Sequence, residues 1–146
     1  MNLVYVTHAY PRSEGDVAGA FIERLAVALQ HRGHSIRVIA PSDRGRGGES
    51  ELNGVSVSRV RYASGRRETL AYTGTMVESA RSLGGAIAAA NLVRVQAAET
   101  KRLCRTEPID VVHAQWWIPA GMSAWWARLT RVPYVVTVHG TDMRIL

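Results

Sequence analysis

The feature that most constrains the fold is a series of short apolar runs, each closed by small or polar residues and followed by helix-patterned sequence. Residues 3–7, 35–40, 110–113 and 134–138 are runs of this kind, with the length and character of strands buried in a parallel sheet. Val55, Val57 and Val60 alternate with polar neighbours and predict a further strand, exposed on one face. Between the runs, residues 18–32 place Phe21, Ile22, Leu25, Ala26, Ala28 and Leu29 at helical spacing, and Gly33 supplies a left-handed stop. Residues 75–105 are Ala-rich and broadly helical, with a break expected at Gly84-Gly85. Residues 119–129 read as a helix with Pro119 near its first turn. Residues 42–53 are polar and Gly-rich without a period, and read as a surface loop.

Strands that alternate with helices predict a parallel sheet covered on both faces, because parallel neighbours need crossovers and those crossovers are right-handed. The expected architecture is a single α/β Rossmann-like domain with an open parallel sheet, in which the first strand lies between the second and the fourth. The strand order then reverses between the first and fourth strands, and ligands bind at such a reversal, beyond the carboxyl ends of the strands. The loops after Thr7, His113 and Val138 are therefore expected to share one crevice. His8, His113 and His139 are expected at strand ends facing it. So are the loops Asp16-Val17-Ala18-Gly19 and His139-Gly140-Thr141-Asp142.

A chain of 146 residues can build one sizeable core. Its single cysteine, Cys104, cannot form an internal disulfide, and it reads as a small hydrophobe in a helix. No apolar run reaches the length of a membrane span, and the first residues lack a basic region and a cleavage site, so a cytoplasmic location is expected. The formal charge of +6 is carried almost wholly by arginine, Lys101 being the only lysine. That balance suits polyanions, but arginines so widely spread also describe an ordinary solvated surface. No G-x-G-x-x-G follows the first strand, and no phosphate-binding G-x-x-x-x-G-K-[ST] loop is present. His31 and His34 flank a helix stop and make no convincing metal-ligand set.

Each candidate residue has a mundane alternative. Gly19 opens a helix whose first N–H groups could meet a sugar or phosphate oxygen, or it merely permits tight packing. Asp16 could bind an acceptor hydroxyl, or act as an ordinary N-cap. His139 stands at the end of a strand, where chemistry is better served than mid-strand. Thr141 and Asp142 could cap a following helix. Trp116 and Trp117 lie in a loop at the crevice edge, where an indole could stack on a sugar or a lipid, or pack beneath the loop. Met122, Trp126 and Leu129 fall at helical spacing, so Trp125-Trp126 read mainly as packing.

Several of these segments together resemble the N-terminal domain of GT4-family glycosyltransferases, which have the GT-B fold. They are Tyr10-Pro11, Ala18-Gly19-Ala20-Phe21, Leu25 to Leu29, Arg32-Gly33-His34, Val38 to Pro41, Asp110 to Ala114, and Val136 to Asp142. The order and distances match over essentially the whole chain. Ala18 departs from a first glycine common in relatives. The resemblance implies a two-domain retaining enzyme that transfers a hexose from a nucleotide-sugar to a glycan, lipid-linked or small-molecule acceptor, typically without a metal ion. The acceptor is bound mainly by the N-terminal domain. It implies His139 as catalytic, Gly19 and His139 on the donor side, and Asp16, His8, His113, Trp116 and Trp117 on the acceptor side. It also implies that residues 1–146 are the acceptor half alone, since only Met143 to Leu146 follow Asp142, too few for a helix to cover that sheet edge. The nucleotide-sugar domain would lie elsewhere, and the half alone would be inactive. Glu99 and Glu107 match the family's E-x7-E spacing, which belongs to the second domain, so here it reads as coincidence. No nucleic-acid partner is expected. Contact with the inner face of a membrane is an option raised by the arginines of residues 75–105. Readings from other classes are a non-catalytic carbohydrate- or anion-binding module and half of a sugar-nucleotide epimerase of the same architecture.

Overall fold

The computed structural model describes residues 1–128 and 131–140. Strand β1 (Asn2–Val6) lies at the centre of a six-stranded sheet, flanked by β2 (Ser35–Pro41) and β5 (Val111–Gln115). Outward from β2 come β4 (Val55–Val60) and β3 (Gly48–Leu52), and outward from β5 comes β6 (Tyr134–Thr137). All pairings are parallel except β3 with β4. The expected order of the five parallel strands holds, and so does the Rossmann-like architecture.

The wholly parallel sheet is corrected by β3. The sequence predicts a loop over residues 42–53 because Gly-Glu-Ser-Glu-Leu carries no apolar alternation, whereas residues 48–52 form a strand exposed along nearly its whole length. It is held by its ladder to β4 across Asn53-Gly54, both at positive φ, the combination that closes a tight hairpin. Asn-Gly beside a strand was the sequence signal for it.

Alternation along β1 divides the core. Tyr5 faces α1 (Ala20–His31) together with Ile22, Ala26, Val38 and Val57, all buried. Val4 and Val6 face the other way, against Leu103 of α3 (Leu83–Thr106) and Ala120 and Ala124 beside and within α4 (Met122–Ala127). The expected break in residues 75–105 falls between α2 (Met76–Ala80) and α3, a little before the glycines. Ser82 caps α3 by accepting from the Gly85 N–H at 3.0 Å. Gly85 lies so close to Ser79 that a Cβ would collide with its carbonyl. Gly85 thus allows the two helices to meet, Gly84 has open space beside it, and neither bends a helix.

Helix α4 also differs from its expected packing. Ser123, Ala124 and Ala127 are its buried residues, while Met122, Trp125 and Trp126 are exposed. Small side chains let α4 approach its neighbours closely, and this turns the large ones outward. Leu129 lies outside the described residues.

Candidate functional site

Strand β1 ends at a locked corner. The Thr7 N–H donates to the Ile39 carbonyl, its hydroxyl donates to the Ala9 carbonyl, and its own carbonyl accepts from buried Gln96 of α3 at 2.7 Å. The chain then runs through His8 to Gly19 before α1 begins. Asp16 does not occupy the N-cap position, which is Gly19. Its carboxylate instead accepts from the Arg12 backbone N–H at 3.0 Å, from Arg12 Nε at 2.6 Å and from the Ala18 N–H at 3.1 Å. The Arg12 side-chain bond, joined by these backbone donors, holds the Asp16 carboxyl far below the usual carboxylate range. Arg12 also reaches Asp43 at 3.1 Å and lies over the Tyr72 ring, whose hydroxyl burial pushes up to about 12. Asp16 therefore staples the loop.

Gly19 has φ +76, and a Cβ there would collide with the Ala9 carbonyl. The packing requirement is thus met by structure alone, whatever ligand the helix end also receives.

Across the crevice, β5 continues to Gln115, two residues beyond the expected end at His113. This moves His113 from the rim to the middle of the strand, in register with Tyr5 and Val135. Its ring meets the Tyr5 ring edge-on, with centroids 5.0 Å apart. His8 and His139 do reach the crevice, around Trp116. The Trp116 ring lies 4.2 Å from His8, 4.5 Å from His139 and 5.5 Å from Phe21. Phe21, in the first turn of α1, closes the group at 5.1 Å from His139.

A residue that sequence reasoning passed over connects the histidines. Gln115 is almost wholly buried, its amide nitrogen 3.2 Å from His113 Nε2 and its amide oxygen 3.0 Å from His139 Nε2. An amide nitrogen can only donate and an amide oxygen only accept. This orientation therefore leaves Nε2 of His113 as the acceptor and puts a proton on Nε2 of His139. The Thr137 hydroxyl, 2.7 Å from the same His113 nitrogen, completes the chain. Burial, then the neighbouring His139, lowers the His113 pKa, in keeping with a neutral ring. A glutamine closing a strand between a histidine and the crevice tryptophan was the available signal.

The backbone after Gln115 separates the two tryptophans. Trp116 has φ +72 and ψ 150, an arrangement that costs a non-glycine residue about 1 to 3 kcal/mol. Two bonds hold it: its N–H donates to the Thr137 carbonyl at 2.9 Å, and its carbonyl accepts from the Gly121 N–H at 3.0 Å. Trp117 consequently leaves the ring cluster. It stands half exposed beside Ile118 and Met122 on the wall of a separate apolar groove. Thr141 and Asp142 lie outside the described residues. Among the described residues no group of three or more His, Cys, Asp or Glu side chains is arranged to hold a metal ion. Among them, too, no helix is long and apolar enough to cross a membrane.

This arrangement combines a crevice at the carboxyl edge of a doubly covered sheet, a histidine oriented by a buried amide, and aromatic faces suited to a sugar ring. The fold is similar to that of sucrose-phosphate synthase from Thermosynechococcus elongatus, with a TM-score of 0.57 and 15% identity. That match covers 96% of this chain and 33% of the synthase, so the chain spans about a third of that enzyme's length. It is also similar to the C-terminal domain of a hydrogenase from Pyrococcus furiosus, with a TM-score of 0.54, 10% identity, and coverage of 94% of this chain and 90% of that one. At such identities both likenesses concern the fold alone. No curated protein matches in sequence. Residues 18–145, however, match the family described as glycosyl transferase 4-like domain. With five of the six strands, α1, Trp116 and His139 inside that match, the chain belongs to the glycosyl transferase 4-like family.

Proposed function

We propose that this chain is the acceptor-binding half of a glycosyltransferase that moves a hexose from a nucleotide-sugar to an acceptor hydroxyl with retention of configuration. The observation that carries the proposal is the meeting of His139, Trp116, His8 and Phe21 at the strand reversal of a chain in this family. In such a transfer the bond from the anomeric carbon to the nucleotide phosphate breaks as the acceptor oxygen bonds that carbon; the nucleotide leaves with the bonding pair, and the acceptor hydroxyl's proton passes to its phosphate oxygen. A positioned imidazole beside the reacting carbon stabilises the charge that develops around it. His139 takes this part, and Gln115, which touches it without reaching substrate in this scheme, is a positioning residue. Trp116 and His8 face the acceptor. His113 acts through Gln115, and Asp16 by fixing the loop that carries Gly19. The nucleotide-sugar half lies outside these residues, no metal cofactor is required, and the setting is the cytoplasm, with peripheral contact at the inner face of the membrane.

The test is steady-state transfer from a radiolabelled nucleotide-sugar to a panel of acceptors, in the protein carrying both halves, with calorimetric nucleotide binding alongside. His139→Ala should lower turnover by roughly 30- to 1000-fold while nucleotide affinity changes little, because it removes a contact that strengthens at the transition state. Gln115→Ala should lower kcat by about tenfold with KM nearly unchanged. Wild-type turnover in a folded His139→Ala protein would return the histidine to a structural role.

A further inference from the structure

The groove beside Trp117 is separate from the crevice. It encloses about 460 Å³, within the range of small-molecule sites. Its floor is Leu70, Leu92 and Pro119, all buried, and its walls are Val77, Trp117 and Met122, each exposed by two fifths or more. So much exposed apolar surface in one concave place is unusual for a surface that meets only water.

A second, wider cavity of about 1050 Å³ adjoins it and shares Leu70, Ala90, Val93 and Met122 with it. Arg66, Arg67 and Arg94 line this second space. Among the described residues neither Arg66 nor Arg67 has an ion-pair partner, and Arg94 is bonded to Asn91 alone. From Ala63 to Arg94 the exposed charges are Arg66, Arg67, Arg81 and Arg94 against Glu78. An apolar slot that opens into cationic space is complementary to a molecule with a hydrocarbon chain and an anionic group.

Trp116 and Trp117 are neighbours in sequence, and the inverted backbone at Trp116 sends one indole to the histidines and the other to the groove. We infer that the groove binds the hydrocarbon chain of an anionic amphiphile whose charged group lies toward Arg66, Arg67 and Arg94. This binding does not rest on the transferase proposal.

The test is therefore a binding measurement that needs no transfer. Octyl, decyl and dodecyl phosphate, below their micellar concentrations, are titrated against the protein by tryptophan fluorescence and calorimetry. The matching alkyl trimethylammonium salts, and vesicles of phosphatidylglycerol and phosphatidylcholine, form the other arms. Affinity for the monomeric phosphates should rise by about fourfold per methylene until the groove is full. The cationic series should bind at least tenfold more weakly. Ala90→Trp, on the exposed side of α3 where both cavities meet, should abolish the chain-length dependence. Ala90→Leu should reduce it, and serves if the larger residue impairs folding by circular dichroism. Affinity independent of chain length, equal binding of the cationic series, or undiminished binding in a folded Ala90→Trp protein would overturn the inference. So would binding to vesicles without binding to monomeric alkyl phosphate. Undiminished transfer by a folded His139→Ala protein would count against the transferase proposal and leave these titrations unaffected.

Discussion

Trp116 and Trp117 are adjacent and chemically identical, yet their surroundings have little in common. Around Trp116 every neighbour is fixed: rings on three sides, a locked corner after β1, and a buried glutamine behind. Around Trp117 the walls are exposed, and they come from short or terminal pieces such as α2 and the first turn of α4. The crevice is thus rigidly held, whereas the groove is bounded largely by exposed apolar side chains. The difference teaches that backbone geometry at one residue decides which chemistry each indole serves.

The sharpest way to break the contrast is at Gly19, which holds the crevice wall. Gly19→Val must place a β-branched residue at φ +76 and against the Ala9 backbone, so it should destabilise the fold by more than about 3 kcal/mol. A urea midpoint within error of wild type would show that the wall is not fixed there. Next in size, Trp116→Ala should cost about 2 to 4 kcal/mol, through lost ring contacts and a cavity. Trp117→Ala should cost less than about 1 kcal/mol, since half of that side chain already meets water. Equal losses in thermal unfolding would erase the distinction between the two sites.

The smallest effect is one of pH, and it belongs to the crevice. His113 has its pKa lowered in the fold, so as pH falls through its ordinary value of 6.5 the unfolded chain takes up a proton first. Stability is therefore level above that value and declines below it, until the folded pKa is passed. His113→Gln should flatten the decline seen in urea midpoints between about pH 7 and about pH 5. A midpoint that rises on acidification would contradict the neutral, buried state of the ring.

What was legible in the sequence follows the physics of burial. Strands buried along most of their length announce themselves as apolar runs, so β1, β2 and β5 were readable; β6 carries such a run too, though it lies exposed at the sheet edge, and with these four the order and the crevice could be read. Strand β3 was not, because its side chains meet solvent and its stability comes from backbone pairing, which composition does not record. His139, His8 and Trp116 were readable as strand-end residues. The misplacement of His113 came from ending β5 two residues early, and that error also hid Gln115, whose importance lies in its partners. The exposure of Trp125 and Trp126 was unreadable for a related reason: large apolar residues normally seek the core, and only the close fit of Ala124 and Ala127 turns them out.

The hairpin that sequence reading overlooked has a consequence for how the sheet ends. A flat parallel sheet stopping at β4 would offer a bare row of amide groups to any passing strand. Strand β3 takes up that row and carries Glu49 and Glu51, both exposed, on the face where Glu49 meets Arg102 of α3 at 3.6 Å, so a second molecule adding itself along β3 would lay its side chains against carboxylates. The least hydrophobic strand of the protein thus serves as its guard against lateral polymerisation.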